Sequence, residues 1–162
     1  MEQIDNTVQT PVSYAGFWKR LAAYILDWII LTIISIIILV IFSVSFGAFW
    51  GSELSAETFG EGNEAALLGL TIGADMLTFV ISWLYYAGME SSSKQATFGK
   101  LALGMKVTRL NGERISFLRA SVRFFSKILS LLLFFIGFIM IAFTEKKQGL
   151  HDMIAGVVIV NK

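Results

Sequence analysis

Three aspartates and one histidine carry most of the chemistry open to this chain. Asp27 and Asp75 each stand alone as the only charged residue of a long apolar run. A carboxylate at depth in a bilayer costs about a few kcal/mol on insertion scales, and such residues usually face a bundle interior or a water-filled cavity. There it can bind a proton or a small cation, or it can pair with a base and pin helices together. Both readings stay open for Asp27. Arg20 precedes it by seven residues, and seven helical steps of about 100° come within ~20° of two full turns. Arg20, Tyr24 and Asp27 therefore share one helix face. The two charges are too far apart for direct contact, yet they can line one polar track. Asp75 follows Gly69, Gly73 and Ala74, small residues that let another helix approach; Gly69-x-x-x-Gly73 is a contact motif of weak specificity. Asp75 reads as a second carboxylate in a cation path, as the partner of Lys127, or as an acid kept neutral by burial.

His151 and Asp152 are adjacent, as half of a hydrolytic triad would be. The sequence offers no Gly-x-Ser-x-Gly elbow and no cysteine to complete one. A His-Glu-x-x-His zinc-protease motif is absent as well. Gly99-Lys100 is not a phosphate loop, because the glycine five positions earlier is missing and Leu101 stands where Ser or Thr is needed. A single histidine and no cysteine are too few for an ordinary metal site, and they exclude disulfides and thiolate chemistry. The expectation is a protein without catalysis, cofactor or metal.

The elements that position these residues are membrane spans. Apolar residues make up 56% of the 162 and charged residues 15%, against about a quarter charged in a soluble domain. That apolar surface exceeds what one core of this size can bury, and lipid is its natural place. The net charge of +1 gives no basic field for nucleic acid. Residues 1–13 read as a polar N-terminal tail. Their polarity, and the length of the apolar run after Lys19-Arg20, do not fit a secretory signal peptide. Tyr14, Phe17 and Trp18 beside Lys19 and Arg20 have the composition of a membrane interface. Spans are expected at about 21–46 and 65–87, since roughly 20 apolar residues cross the hydrocarbon. Loop 51–64 holds four glutamates and no base, whereas loop 88–123 holds seven bases against two acids. The positive-inside rule makes loop 88–123 and the N-terminus cytoplasmic and loop 51–64 external, in a multi-pass protein of the cell membrane.

Asn111-Gly112 predicts a tight hairpin turn between Met105–Leu110 and Glu113–Ile115. Ser116 is placed to cap a helix, on which Arg119, Arg123 and Lys127 fall on one face. The plainer reading of that face is a basic stripe against anionic headgroups; the sharper one pairs one of its cations with a membrane carboxylate. The third apolar stretch, 124–143, raises a conflict. A single span would put the 144–162 tail outside, although that tail is basic. A stretch that enters, turns near Ile136-Gly137 and returns would keep the tail inside, and a strand at 156–160 pairing with 106–110 would require that. The expected fold class is an all-α membrane protein. It has two firm transmembrane helices, a third apolar segment that spans or re-enters, and a small cytoplasmic β-hairpin.

Three pieces of the chain together resemble one family. They are Tyr14-Ala15-Gly16-Phe17-Trp18-Lys19-Arg20 through Asp27, then Phe98-Gly99-Lys100 with Gly104-Met105-Lys106-Val107 and Asn111-Gly112, then Leu150-His151-Asp152-Met153-Ile154-Ala155-Gly156. In this order they resemble the RDD family of small multi-pass membrane proteins, named for one Arg and two Asp. The resemblance covers residues 14–160 and matches its signature to Arg20, Asp27 and Asp152; Gly149 is a small departure, since polar residues are commoner there. It implies a membrane domain of poorly defined function. Transport of an undefined ligand has been suggested for such proteins; some are linked to monovalent cation/proton antiport and others to control of a membrane peptidase. With the tail inside, Arg20 and Asp152 would form a charge-assisted pair, a latch tying the tail to the foot of the first helix.

Two functions compete, and the cost of buried carboxylates favours the first. In the first, Asp27 and Asp75 bind a proton or small cation for transport. Two or three spans hardly enclose a pathway, so this needs a homo-oligomer. In the second, the chain is a non-enzymatic regulatory or assembly subunit of a larger membrane complex. The ion-pair partners considered for the aspartates are Arg20, Arg123, Lys127 and His151. The lipid bilayer is the partner common to both.

Overall fold

A computed structural model describes residues 12–59, 64–133 and 136–162. Its elements are α1 (Phe17–Phe59), α2 (Glu64–Ser91), α3 (Phe98–Ala102), β1 (Met105–Arg109), α4 (Phe117–Leu132), α5 (Ile136–Phe143), α6 (Leu150–Ala155) and β2 (Val157–Asn161). Residues 1–11 of the expected N-terminal tail lie outside the described residues.

Two stretches, Phe17–Ile38 in α1 and Thr71–Ser91 in α2, are long and apolar enough to cross a membrane. In lipid the backbone of such a segment has no external partners, so it closes its own hydrogen bonds as helix. Both helices run on past their expected ends. The stretch expected as loop 51–64 is helical through Phe59 and again from Glu64. No proline interrupts Gly51–Phe59, and its alanine, leucine and glutamates are good helix formers.

Only 11% of each candidate span is buried. The core lies elsewhere. Ala15, Ala23, Ala87, Met105, Val107, Ile115, Ala120, Ala155, Val157 and Ile159 form it, with Trp83 packed against it. These residues come from the foot of α1, the end of α2, the α2–α4 connection, the start of α4 and the C-terminal tail, so the core is a compact module at one end of the helix pair.

β1 and β2 pair antiparallel, Met105 opposite Asn161 and Arg109 opposite Val157. Val157–Val160 is buried on both faces, which suits a β-branched run. The incoming chain lies along the other edge of β2: the Ala15 amide donates to Ile159 O at 2.9 Å and the Asn161 amide to Ser13 O at 2.8 Å. A turn forms at Asn111–Gly112, with Gly112 at φ +83° and the Arg109 amide donating to Glu113 O at 2.8 Å, but Asn111 does not take a positive φ, so it is not the type I′ turn that this pair favours. The segment after it does not extend a strand, however. Ile115 drops into the core, 1% exposed, and Ser116 caps α4 by accepting from the Arg119 amide. The partner of β1 is thus the tail strand, not Glu113–Ile115.

The third apolar segment is two helices, α4 and α5, inclined at 103°. The bend falls just before Ile136, close to the turn expected near Ile136-Gly137. α5 returns along α4 so closely that a Cβ on Gly137 would lie 2.6 Å from Ser130 Oγ. α6 then packs on α4, and Arg119 Nη1 donates to Ala155 O at 3.2 Å. β2 therefore lies at the same end of the molecule as the start of α1.

Candidate functional site

The signature residues meet in this end module. Arg20, on the first turn of α1, pairs through Nη1 with Asp152 Oδ2. Its Nε donates to Ala15 O at 2.8 Å and its Nη2 to Lys147 O. Asp152 is fully buried and has a second cation, since Arg123 Nε lies 2.7 Å from its Oδ1. It also caps α6, accepting from the Gly149 amide at 3.2 Å. Arg123 Nη1 reaches Glu90 Oε2 at 2.6 Å, and Glu90 Oε1 holds Lys100. The result is one buried chain of ion pairs, Lys100–Glu90–Arg123–Asp152–Arg20. It links α3, α2, α4, α6 and α1 in turn.

Burial alone would raise the carboxyl pKa of Asp152; the Arg123 and Arg20 guanidiniums overcome it and hold the group well below the usual carboxylate range. Burial lowers the Lys100 ammonium, against the pull of Glu90. It also pushes the His151 imidazole down to about 3, although Asp152 opposes the shift. His151 Nδ1 lies 3.3 Å from Ser130 Oγ and its ring packs on Phe138 at 5.0 Å. It is a core histidine.

Asp27 forms a second, separate knot. Its carboxylate is 1% exposed and accepts from Tyr85 Oη at 2.8 Å, Thr97 Oγ1 at 2.5 Å and the Gly99 amide at 2.7 Å. It thereby ties α1 to α2 and to the start of α3. The contact dictates glycine at 99, because a Cβ there would fall 2.1 Å from Ala23 O.

The basic face of α4 is divided: Arg119 is exposed, Lys127 half-buried and Arg123 buried. Arg123 is 2% exposed and sits between two carboxylates, so the reading of a stripe against headgroups gives way to pairing. Lys127 does not reach Asp75. Its ammonium stands 4.7 Å over the Tyr86 ring and 5.9 Å from that of Phe124. Asp75 is exposed on α2 and makes no ion pair among the described residues. Arg20, Asp27, Asp152, Arg123 and His151 are thus brought into one module, and Asp75 stands outside it. Sequence reasoning missed Glu90, Lys100, Thr97 and Tyr85. One signal was available: Glu90 closes the apolar run of the second span, and a carboxylate at that depth calls for a cation.

Chemically, the arrangement fixes charges. Every carboxylate in it already has two or three donors. Among the described residues, no group of three or more His, Asp or Glu is placed to hold a metal ion.

Two membrane-length helices closed at one end by a buried ionic module define a small multi-pass membrane protein. The model of the RDD family matches residues 14–156, and the chain belongs to that family. It is 41% identical over 151 residues to the uncharacterized protein YxaI of Bacillus subtilis (strain 168), which covers 91% of this chain and 97% of that protein. It is 28% identical over 159 residues to the uncharacterized membrane protein YteJ of the same strain, covering 93% of this chain and 82% of that one. No solved structure matches the chain.

Proposed function

We propose that this protein is a non-catalytic regulatory or assembly subunit, bound in the membrane to a different and larger protein, and that Asp75 is a residue through which it docks. The observation behind this reading is the position of Asp75. It lies 15 residues from Glu90 on one helix, or about 22 Å along the axis, far from the cations of the end module. An ionisable group in a span needs a partner, and the described residues of this chain supply none. A second copy lying parallel supplies none either. From Leu21 to Ser93 the sequence has no Lys or Arg, and α4–α5 carries its bases only up to Lys127, at the module end. Self-association at this face would set carboxylate against carboxylate. A different chain offering a base or a hydrogen-bond donor fits. The sparse contact between α1 and α2 and their bare apolar faces leave room for it.

In this reading the end module is cytoplasmic, by the positive-inside rule applied to its bases, and the α1–α2 junction is external. Transport of a small cation or proton through an oligomer is the second reading. Asp75 favours it, as a carboxylate in an apolar span. Asp27 does not, because three donors already occupy it.

The test is photocrosslinking from position 72, one turn from Asp75 on the same side of α2, in wild type and in Asp75→Asn. The expected result is one discrete adduct with a different membrane protein that is lost in Asp75→Asn. Adducts with the chain itself alone, or an adduct indifferent to Asp75→Asn, would remove the basis for the proposal.

A further inference from the structure

Between α1, α2, α4 and α5 lies a cavity of about 540 Å³, well within the size range of small-molecule sites. Its polar floor is made by Arg20, Lys100, Arg123 and Lys127, with Asp27 on one side. The charges around it do not balance. Four cations face three carboxylates, Asp27, Glu90 and Asp152. Three of the cations belong to the ion-pair chain. The fourth, Lys127, makes no ion pair or hydrogen bond among the described residues and rests only on the faces of Tyr86 and Phe124. Arg123 uses Nε and Nη1 for its carboxylates and has Nη2 left. A lysine in a span that makes no ion pair of its own is costly, and the cavity beside it is where an anion in direct contact fits.

The upper wall is of a different kind. Trp28 and Leu31 of α1 and Ile128 and Leu131 of α4 line it. Trp28, Ile128 and Leu131 are each about half exposed, so the apolar wall runs out onto the surface that lipid covers. A cationic floor under an apolar wall opening to hydrocarbon is the complement of an anionic amphiphile. We propose that the cavity binds an anionic phospholipid, its phosphate beside Lys127 and Arg123 and its acyl chain along Leu31, Ile128 and Leu131. One phosphodiester charge would cancel the unbalanced cation. The lipid would fill the space between the foot of α1 and α4. This site is distinct from the Asp75 face, which lies further along α2.

The experiment is native mass spectrometry of the full chain released from mild detergent supplemented with phosphatidylglycerol, phosphatidylcholine or inorganic phosphate. Two variants accompany wild type. Lys127→Gln removes the unpaired charge, and Ser82→Phe fills the cavity from α2 while keeping every cation; neither touches the ion-pair chain. Wild type is expected to retain phosphatidylglycerol about fivefold or more over phosphatidylcholine. Lys127→Gln should bring retention down to the phosphatidylcholine level, and Ser82→Phe should abolish retention of both lipids. Equal retention of the two lipids by wild type, or a preference unchanged in both variants, would overturn the proposal. Inorganic phosphate that displaces phosphatidylglycerol at equal concentration would overturn the choice of a lipid.

Discussion

Replacing Asp152 with asparagine should release the C-terminal tail. Asp152 is fully buried and accepts from Arg123 at 2.7 Å, from Arg20, and from the Gly149 amide at 3.2 Å. Asparagine keeps the shape and one acceptor but removes the charge and turns an amide group toward a guanidinium. Arg20 retains only backbone carbonyls, and Arg123 retains only Glu90. Taking one partner from a buried pair costs about 3–5 kcal/mol. At about 1.4 kcal/mol per decade, the open state of the tail should rise by about two to three and a half decades. Hydrogen exchange reads this directly, because the β2 amides at Val157–Asn161 depend on that end of the chain staying docked. Their exchange in detergent or nanodiscs near pH 7 should accelerate by that factor, while amides of the α2 span hold their wild-type rates. Asp75→Asn, outside the module, should leave β2 unchanged. A change under about threefold in Asp152→Asn would refute the idea that this ion pair holds the tail. A charge swap of Arg20 and Asp152 is a poorer test, since Arg at position 152 would meet Arg123.

Acid should open the same module through His151. The unfolded imidazole takes its proton near 6.5 and the buried one only near about 3, so the folded state binds fewer protons between those values. Stability is therefore full above pH ~6.5 and falls as the pH drops, by up to about 1.4 kcal/mol per unit; β2 exchange, corrected for intrinsic rates, should rise up to about tenfold per unit in wild type and stay flat to about pH 4 in His151→Gln. Asp152, with its pKa depressed, contributes above about pH 4 and loses that contribution only as pH falls further. Gly99→Ala should lower the thermal midpoint of the folded chain, because the new Cβ would lie 2.1 Å from a backbone oxygen that cannot turn aside; a cost of about 1–3 kcal/mol is expected, and a midpoint equal to wild type would show that α3 does not sit on α1.

The spans and the signature were legible because they are local. A long run without charge announces a membrane helix, and Arg20 with Asp27 declares a shared face through helical spacing alone. The pairing of the tail strand with β1 was readable from the strand pattern at 156–160. What the sequence hid is long-range. Glu90 looked like one stray acid in a basic loop, and only the fold sets it 2.6 Å from Arg123, 33 residues away. The three donors on Asp27 lie 58 to 72 residues along the chain. One of them is a backbone amide, which no residue type advertises. The hairpin expectation went astray for a related reason. The turn at Asn111-Gly112 is a local signal and forms, but the strand beyond it competes with burial of Ile115, and burial wins.

In the function proposed above Asp27 is a brace and not an ion carrier, and proton flux in proteoliposomes tests that most directly. The purified chain would be reconstituted alone, as wild type and as Asp27→Asn, which keeps an acceptor for Gly99 and Tyr85 and a donor for the Thr97 hydroxyl. Across sodium, potassium and lithium gradients, the account predicts proton flux no greater than in empty liposomes for both proteins. Cation-driven flux in wild type that disappears in a folded Asp27→Asn would contradict it and make Asp27 a transport residue.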